Sequence, residues 1–254
     1  MTQEPIKSEQ APLSGEDTLP SPDSASPVTP LPLAQAIRAL PRQYFRVVTK
    51  PSVVTFSEEM GKASWNIVWV QLIGLGIITT LLDFLRILIS PLHFAVLSTF
   101  TLLTVISPII TVPLTFFITM GIAYGIAKAF GGRGTFLAQS YIALLPYVPL
   151  TILAQLLTLL GSFIRPPVFR PLTSTAVTST LILFSVITFA VAAFGFALII
   201  YRVVAQVLGI MAVHRLTGGK AATVIIVPTA VILIISFFSG FFLTFALGLL
   251  HGDA

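Results

Sequence analysis

The sequence contains no cysteine, which excludes disulfides, thiolate metal sites and cysteine nucleophiles. Charge is nearly as scarce. Only 9% of its 254 residues are Asp, Glu, Lys or Arg, where ordinary soluble domains carry about 25%. Nine side chains are acidic, and five of them, Glu4, Glu9, Glu16, Asp17 and Asp23, fall in the first 32 residues. Little is left for acid–base work. The three histidines, His93, His214 and His251, stand at the ends of apolar runs and share no metal-ligand spacing. There is no His-Glu-x-x-His, no nucleophile elbow and no phosphate-binding P-loop. With no catalytic, metal or cofactor-binding constellation, the chain reads as a non-enzyme with neither nucleic acid nor a small-molecule cofactor as partner.

What the sequence does have is apolar length. Hydrophobic residues make up 56% of the chain, 20 of them Phe, and the mean hydropathy is +0.99. A helix needs about 20 apolar residues to cross about 30 Å of hydrocarbon. Five stretches satisfy this: about 65–89, 102–127, 136–163, a fourth within 177–213, and 221–250. The expectation is an all-α, polytopic membrane bundle of five transmembrane helices. Residues 1–32, rich in Pro, Ser and acid, read as a disordered tail. The opening MTQEPIKSEQ has no apolar h-region, so the first span is expected to direct insertion. In residues 33–64, Leu33, Ile37, Leu40, Tyr44, Phe45 and Val48 alternate with Arg38, Arg42, Arg46 and Lys50. This suits a basic amphipathic helix, kinked near Pro41 and ended before Pro51, lying on an anionic leaflet. Residues 65–250 form the membrane domain.

Lysine and arginine in the flanks set the orientation. Nine (Arg38, Arg42, Arg46, Lys50, Lys62, Lys128, Arg133, Arg215 and Lys220) fall on the N-terminal side, against three (Arg86, Arg165 and Arg170) on the other. The N-terminus is thus expected in the cytoplasm and the C-terminus outside. The fourth stretch is too long for one crossing: as a single helix its 37 residues would measure about 55 Å. With no turn signal and only Tyr201, Arg202 and Gln206 as strongly polar members, it reads as one continuous helix.

Two loops share a pattern: KAFGGRGT (128–135) and HRLTGGKAAT (214–223) both carry Gly-Gly, a basic residue and then Thr. Glycine suits a left-handed helix cap and Thr can cap the next helix, so both read as tight turns. Arg133 and Lys220, each near a helix N-terminus, are candidate contacts for a lipid phosphate. Gly121 and Gly125 in one span, and Ser236, Gly240, Thr244 and Gly248 in the last, are small-residue stripes suited to helix packing. Asp83, Arg86, Arg202 and Gln206 are the polar positions inside spans, where a charge costs at least about 2.5 kcal/mol. Asp83 and Arg86, three apart, can pair on one face, whereas Arg202 needs a carbonyl or a water-filled cavity. Pro146 and Pro149 should break or bend the third span, freeing carbonyls near Ile142 and Leu145. Tyr141, Tyr147, Thr151 and Gln155 stand nearby as donors.

GGRGTF followed by YIALLP, and the later GIMAVHRLTGGKAA (209–222), resemble the Yip domain family of Ypt/Rab-interacting membrane proteins over about residues 40–250. In eukaryotic relatives the resemblance implies vesicle trafficking through prenylated Rab GTPases and other family members. Their Asp-Leu-Tyr-Gly-Pro signature is replaced here by KPSVVTFSEEM (50–60), so Rab binding does not carry over. The lean chain and short loops resemble prokaryotic members, in a cytoplasmic membrane. The function expected is a non-enzymatic scaffold or organiser whose partners are membrane lipids and other membrane proteins, itself included. The alternative is a small transporter or lipid-translocating protein with a cavity at the third span. The orientation has a direct test: a reporter active only in the cytoplasm should respond when fused before Trp65 and stay silent after Ala254. Equal signals from both ends would exclude an odd number of spans.

Overall fold

The segment LAQAIRALPRQYFRVVT forms a helix despite its proline, because Leu40, Gln43 and Val47 fall on one stripe that the fold buries. The computed structural model of the protein describes residues 32–89, 105–163 and 174–231, with 103, 234 and 238 as isolated positions. The acidic tail before Pro32, Arg165, Arg170 and the Ser236, Gly240, Thr244, Gly248 stripe lie outside the described residues. The elements in chain order are α1 (Leu33–Thr49), α2 (Val53–Met60), α3 (Trp65–Ile89), α4 (Pro108–Ala129), α5 (Phe136–Phe163), α6 (Ser174–His214) and α7 (Gly218–Val231). No strand occurs among the described residues.

Four helices, α3 to α6, are long and apolar enough to cross a membrane. The bounds of α3 and α5 match the expected spans 65–89 and 136–163, and α6 is one unbroken helix of 41 residues. Of the fifth apolar stretch, the described residues include the short helix α7 and two isolated positions, so four of the five expected spans have a membrane-length helix among the described residues.

Hydroxyls set several of the starts. Ser52 accepts from the Thr55 N–H (3.1 Å) at α2, and Ser64 from Ile67 (3.4 Å) at α3. At α5, Thr135 accepts from Ala138 (3.2 Å), the cap expected of it. Helix α5 is central and packs against α1 to α4 and α6. Every residue from Ala138 to Pro146 is buried, whereas from Thr151 to Phe163 all but Leu159 are exposed or only partly buried. Helix α3 shows the same division, its buried positions ending at Thr79. The helices therefore converge at the end that carries α1, α2 and the 130–135 and 215–217 loops, and present apolar surface at the other.

Pro146 and Pro149 do not break α5, which runs through both as continuous helix. A proline removes one helical hydrogen bond and crowds the carbonyl four residues back. Here the surrounding helices hold the buried segment in place. The expected donors are used elsewhere: Tyr141 donates to Gln43 Oε1 (3.1 Å) on α1, and buried Thr151 Oγ1 has no partner among the described residues.

Helix α1 also departs from expectation. Its buried stripe faces the bundle rather than a leaflet, because it carries groups that need partners there. Tyr44 donates to Gln71 Oε1 on α3 (3.0 Å), and burial, with the neighbouring Tyr141 phenol, pushes the Tyr44 hydroxyl well above its usual range, so it stays a donor. Tyr201 on α6 donates to the Val48 carbonyl. Arg46 pairs with Glu58 and, at 3.3 Å, with Glu59, while Lys62 closes on Glu59 at 2.7 Å. Glu59 is only 1% exposed, so its charge depends on these two cations. Removing both, in Arg46→Ala/Lys62→Ala, should cost about 3–5 kcal/mol by stranding a buried carboxylate. Restoring neutrality with Glu59→Gln should recover much of the loss in a denaturation series in detergent. Equal loss with and without Glu59→Gln would refute the pairing account.

Candidate functional site

The two glycine–basic loops lie against each other, although their backbones differ. After α4, Gly131 takes the left-handed conformation (φ 82°), with its N–H bonded to Lys128 O and that of Gly132 to Ala127 O, both 2.9 Å. This is a Schellman cap, the turn expected from the glycine pair. After α6 the left-handed residue is instead Arg215 (φ 55°). Gly218 and Gly219 already belong to the first turn of α7, and Thr223 bonds back to Gly219 O (3.1 Å) rather than capping a helix. The shared pattern therefore encodes a helix end in one loop and a helix start in the other. A non-glycine residue with positive φ costs of order 1 kcal/mol, and here it sits at the site.

Close backbone approach holds the loops together. The Arg133 N–H donates to His214 O at 3.3 Å. A Cβ on Gly132 would stand 2.6 Å from His214 Nδ1, and one on Gly134 would stand 2.4 Å from Val213 Cγ1. Beneath them, Gln139 on α5 donates through Nε2 to Met120 O on α4 (3.0 Å), and its Oε1 lies 2.8 Å from His214 Nε2. That geometry places the imidazole proton on Nε2. Gln139 and His214 are each 1% exposed. Tyr124 tilts against the His214 ring (5.8 Å) and carries Lys128 over its face (5.4 Å).

The result is a pocket of about 290 Å³ lined by Phe130, Gly131, Arg133, His214, Arg215, Leu216, Thr217 and Lys220. Arg133, Arg215 and Lys220 are exposed at its rim, and no ion pair uses them among the described residues. The first turn of α7, whose first helical bond runs from the Ala221 N–H to Thr217 O (3.0 Å), presents N–H groups that have no helical acceptor. Buried His214 Nδ1, the acceptor nitrogen of the ring, has no partner among the described residues and does not contribute to anion binding. Three cations, a helix N-terminus and an open concavity form an anion-binding arrangement. Sequence reasoning named Arg133 and Lys220 but missed Arg215, Gln139 and His214. Their signal was a polar residue at the loop end of an apolar run.

The other named residues lie apart from this pocket. Arg202 on α6 stacks over the Tyr147 ring at 4.1 Å, between the two prolines of α5, instead of bonding freed carbonyls. With Gln206 it lines a separate cavity. Asp83 is half-buried and Arg86 exposed on α3, and the ion pairs among the described residues lie elsewhere, on α1 and α2. A Cβ on Gly121 or Gly125 would meet no neighbouring atom within 4 Å among the described residues. The close helix contacts use Gly76, where a Cβ would stand 2.9 Å from Ile109 Cα, and Gly209, 2.9 Å from Ile142 Cγ2.

An all-helical bundle with four membrane-length apolar helices and a basic pocket at one end defines an integral membrane protein. Its sequence matches the Yip1 domain over residues 45–240, and the chain belongs to that family. Neither curated proteins nor solved structures yield a match.

The glycines offer a paired test of the loop contact. Gly134→Ala should force the 130–135 loop away from Val213 and cost about 1–3 kcal/mol. Gly125→Ala, in open space, should stay within about 0.5 kcal/mol of the parent. Thermal unfolding of both variants in detergent checks this, and equal effects would show that the loops do not need each other.

Proposed function

We propose that the protein is a non-enzymatic membrane organiser that recognises anionic lipid headgroups through its basic end. In this reading the chain crosses the membrane five times, with α1 and α2 in the cytoplasm and the C-terminus outside. The membrane is a prokaryotic cytoplasmic membrane, whose inner leaflet supplies the anionic phosphates. The observation that carries the reading is the convergence of Arg133, Arg215 and Lys220 on one pocket at the start of α7.

Two further features support the same membrane level. Trp65 and Trp69 open α3, are 42% and 45% exposed, and stack with Phe117 and Phe136 near this end, as interfacial aromatics do. The outward face of α1 carries Arg38, Arg42 and Phe45, the last 71% exposed. That combination can insert an aromatic ring between headgroups while arginines hold phosphates. Organisation of other membrane proteins, or of further copies, would use the exposed apolar faces of α4 and α6. The 130–135 and 215–217 loops are short, and the pocket they make suits a headgroup rather than a folded partner.

The test is lipid retention. Protein purified in a neutral detergent should bind phosphatidylglycerol vesicles more tightly than phosphatidylcholine vesicles. Each of Arg133→Gln, Arg215→Gln and Lys220→Gln should weaken the preference about fivefold, since a cation at an anionic surface contributes about 1 kcal/mol. Raised salt should erase the preference. Unchanged selectivity in the triple variant would overturn the headgroup reading. Lipid exchange between leaflets, lost in the same variant, would move the assignment to translocation.

A further inference from the structure

Arg202 presents a charge problem that none of the described residues solves. It lies twelve residues before His214 on α6, about 18 Å along the helix. Its neighbour Tyr201 bonds the Val48 carbonyl on α1, so Arg202 lies at the inner edge of the end that α1 covers. Guanidinium does not lose its proton in proteins, and an unpaired charge among apolar helices is costly. Yet no Asp or Glu occurs anywhere between Asp83 and Asp253. Glu58 and Glu59 are already paired with Arg46 and Lys62, and Asp83 sits far along α3 beside Arg86. No carboxylate among the described residues reaches Arg202.

What surrounds it is neutral and polar. The Tyr147 ring covers one face of the guanidinium at 4.1 Å. Arg202, Tyr147, Thr115, Thr119, Gln206 and Thr229 line a cavity of about 190 Å³, together with apolar Phe116 and Met120. Thr115 and Thr229 are exposed, on the α4 and α7 sides of the cavity. The Thr119 hydroxyl already donates to Thr115 O (2.7 Å), and that of Thr229 to Ile225 O (2.7 Å). Their contribution is to line the space, while the Gln206 amide and the guanidinium N–H groups supply donors. An aromatic face attracts a cation by its quadrupole but brings no negative charge to balance it.

We propose that this cavity is a binding site for a singly charged oxyanion, the carboxylate of an amphiphile such as a fatty acid, with Arg202 as its counterion. One cation matches one negative charge; a dianion would leave an excess charge in the bundle. The apolar wall formed by Phe116 and Met120 suits an attached hydrocarbon chain. The site is separate from the basic pocket: the two share no lining residue.

Radiolabelled oleate, titrated onto the full chain in phosphatidylcholine nanodiscs with empty nanodiscs as background, tests this. Saturable binding is expected, displaced by unlabelled oleate but not by oleyl alcohol, which has the same chain without the charge. Arg202→Gln should weaken it at least tenfold and Arg202→Lys less. Thr119→Leu, which fills the cavity and leaves the charge in place, should also weaken it, and Arg133→Gln/Lys220→Gln should not. If Arg202→Gln fails to fold by circular dichroism, Thr119→Leu and the alcohol competition still decide. Competition by acetate would identify a soluble anion as the occupant of the same site. Equal displacement by oleyl alcohol, undiminished binding in Arg202→Gln, or no saturable binding of either oleate or acetate would overturn the proposal.

Discussion

The Gln139 side chain ties together the parts on which the basic end depends. One amide, 1% exposed, reaches from α5 to the α4 backbone at Met120 and to His214 at the end of α6. In lipid there is no hydrophobic force between apolar helices, so close packing and such interhelical bonds must hold the bundle, at about 0.6 kcal/mol each on average. The individual value is small, but their placement is concentrated. Tyr141–Gln43, Tyr44–Gln71 and Tyr201 with Val48 O all lie at the same end. The opposite halves of α3 and α5 carry mostly exposed or partly buried apolar side chains. Rigidity is thus built where the loops meet.

That distribution explains why α1 behaves as part of the bundle. An amphipathic helix with only aliphatic residues on its inner face could rest on a leaflet or on protein with little difference. Gln43 and Tyr44 break the tie, because each has a matched partner on α5 or α3. The arginines on the outer face remain available to phosphates. One helix therefore presents a packed face to the bundle and an arginine-bearing face outward, and Arg46 spends its charge on α2.

The spans were legible because apolar length against hydrocarbon thickness is a one-dimensional property. Trp65–Ile89, Phe136–Phe163 and the unbroken α6 could be read from the residues alone. The basic residues of the pocket were half legible. Arg133 and Lys220 stood in matching words, but the match concealed different backbones, because Gly-Gly serves equally as a helix end or a helix start. The pairings were not legible. Gln43 with Tyr141 spans 98 positions, and nothing local distinguishes that glutamine from one facing water. The close approaches at Gly76 and Gly209 were not legible either: small residues permit close approach, and only the three-dimensional arrangement decides which are used. At Pro146 and Pro149 tertiary packing overrode a local rule.

The length of α6 carries a consequence for the bilayer itself. Forty-one residues of helix extend about 62 Å, and from Val177 to Ile200 the sequence offers no charged residue to place in water. A rod so much longer than the hydrocarbon must lean steeply or draw the surrounding acyl chains into a thicker annulus. Because its loop end is clamped, it cannot shed the mismatch by sliding. The protein is therefore coupled to acyl-chain length: thick, ordered patches relieve its strain and thin ones increase it, so a bilayer of mixed composition would sort it by thickness.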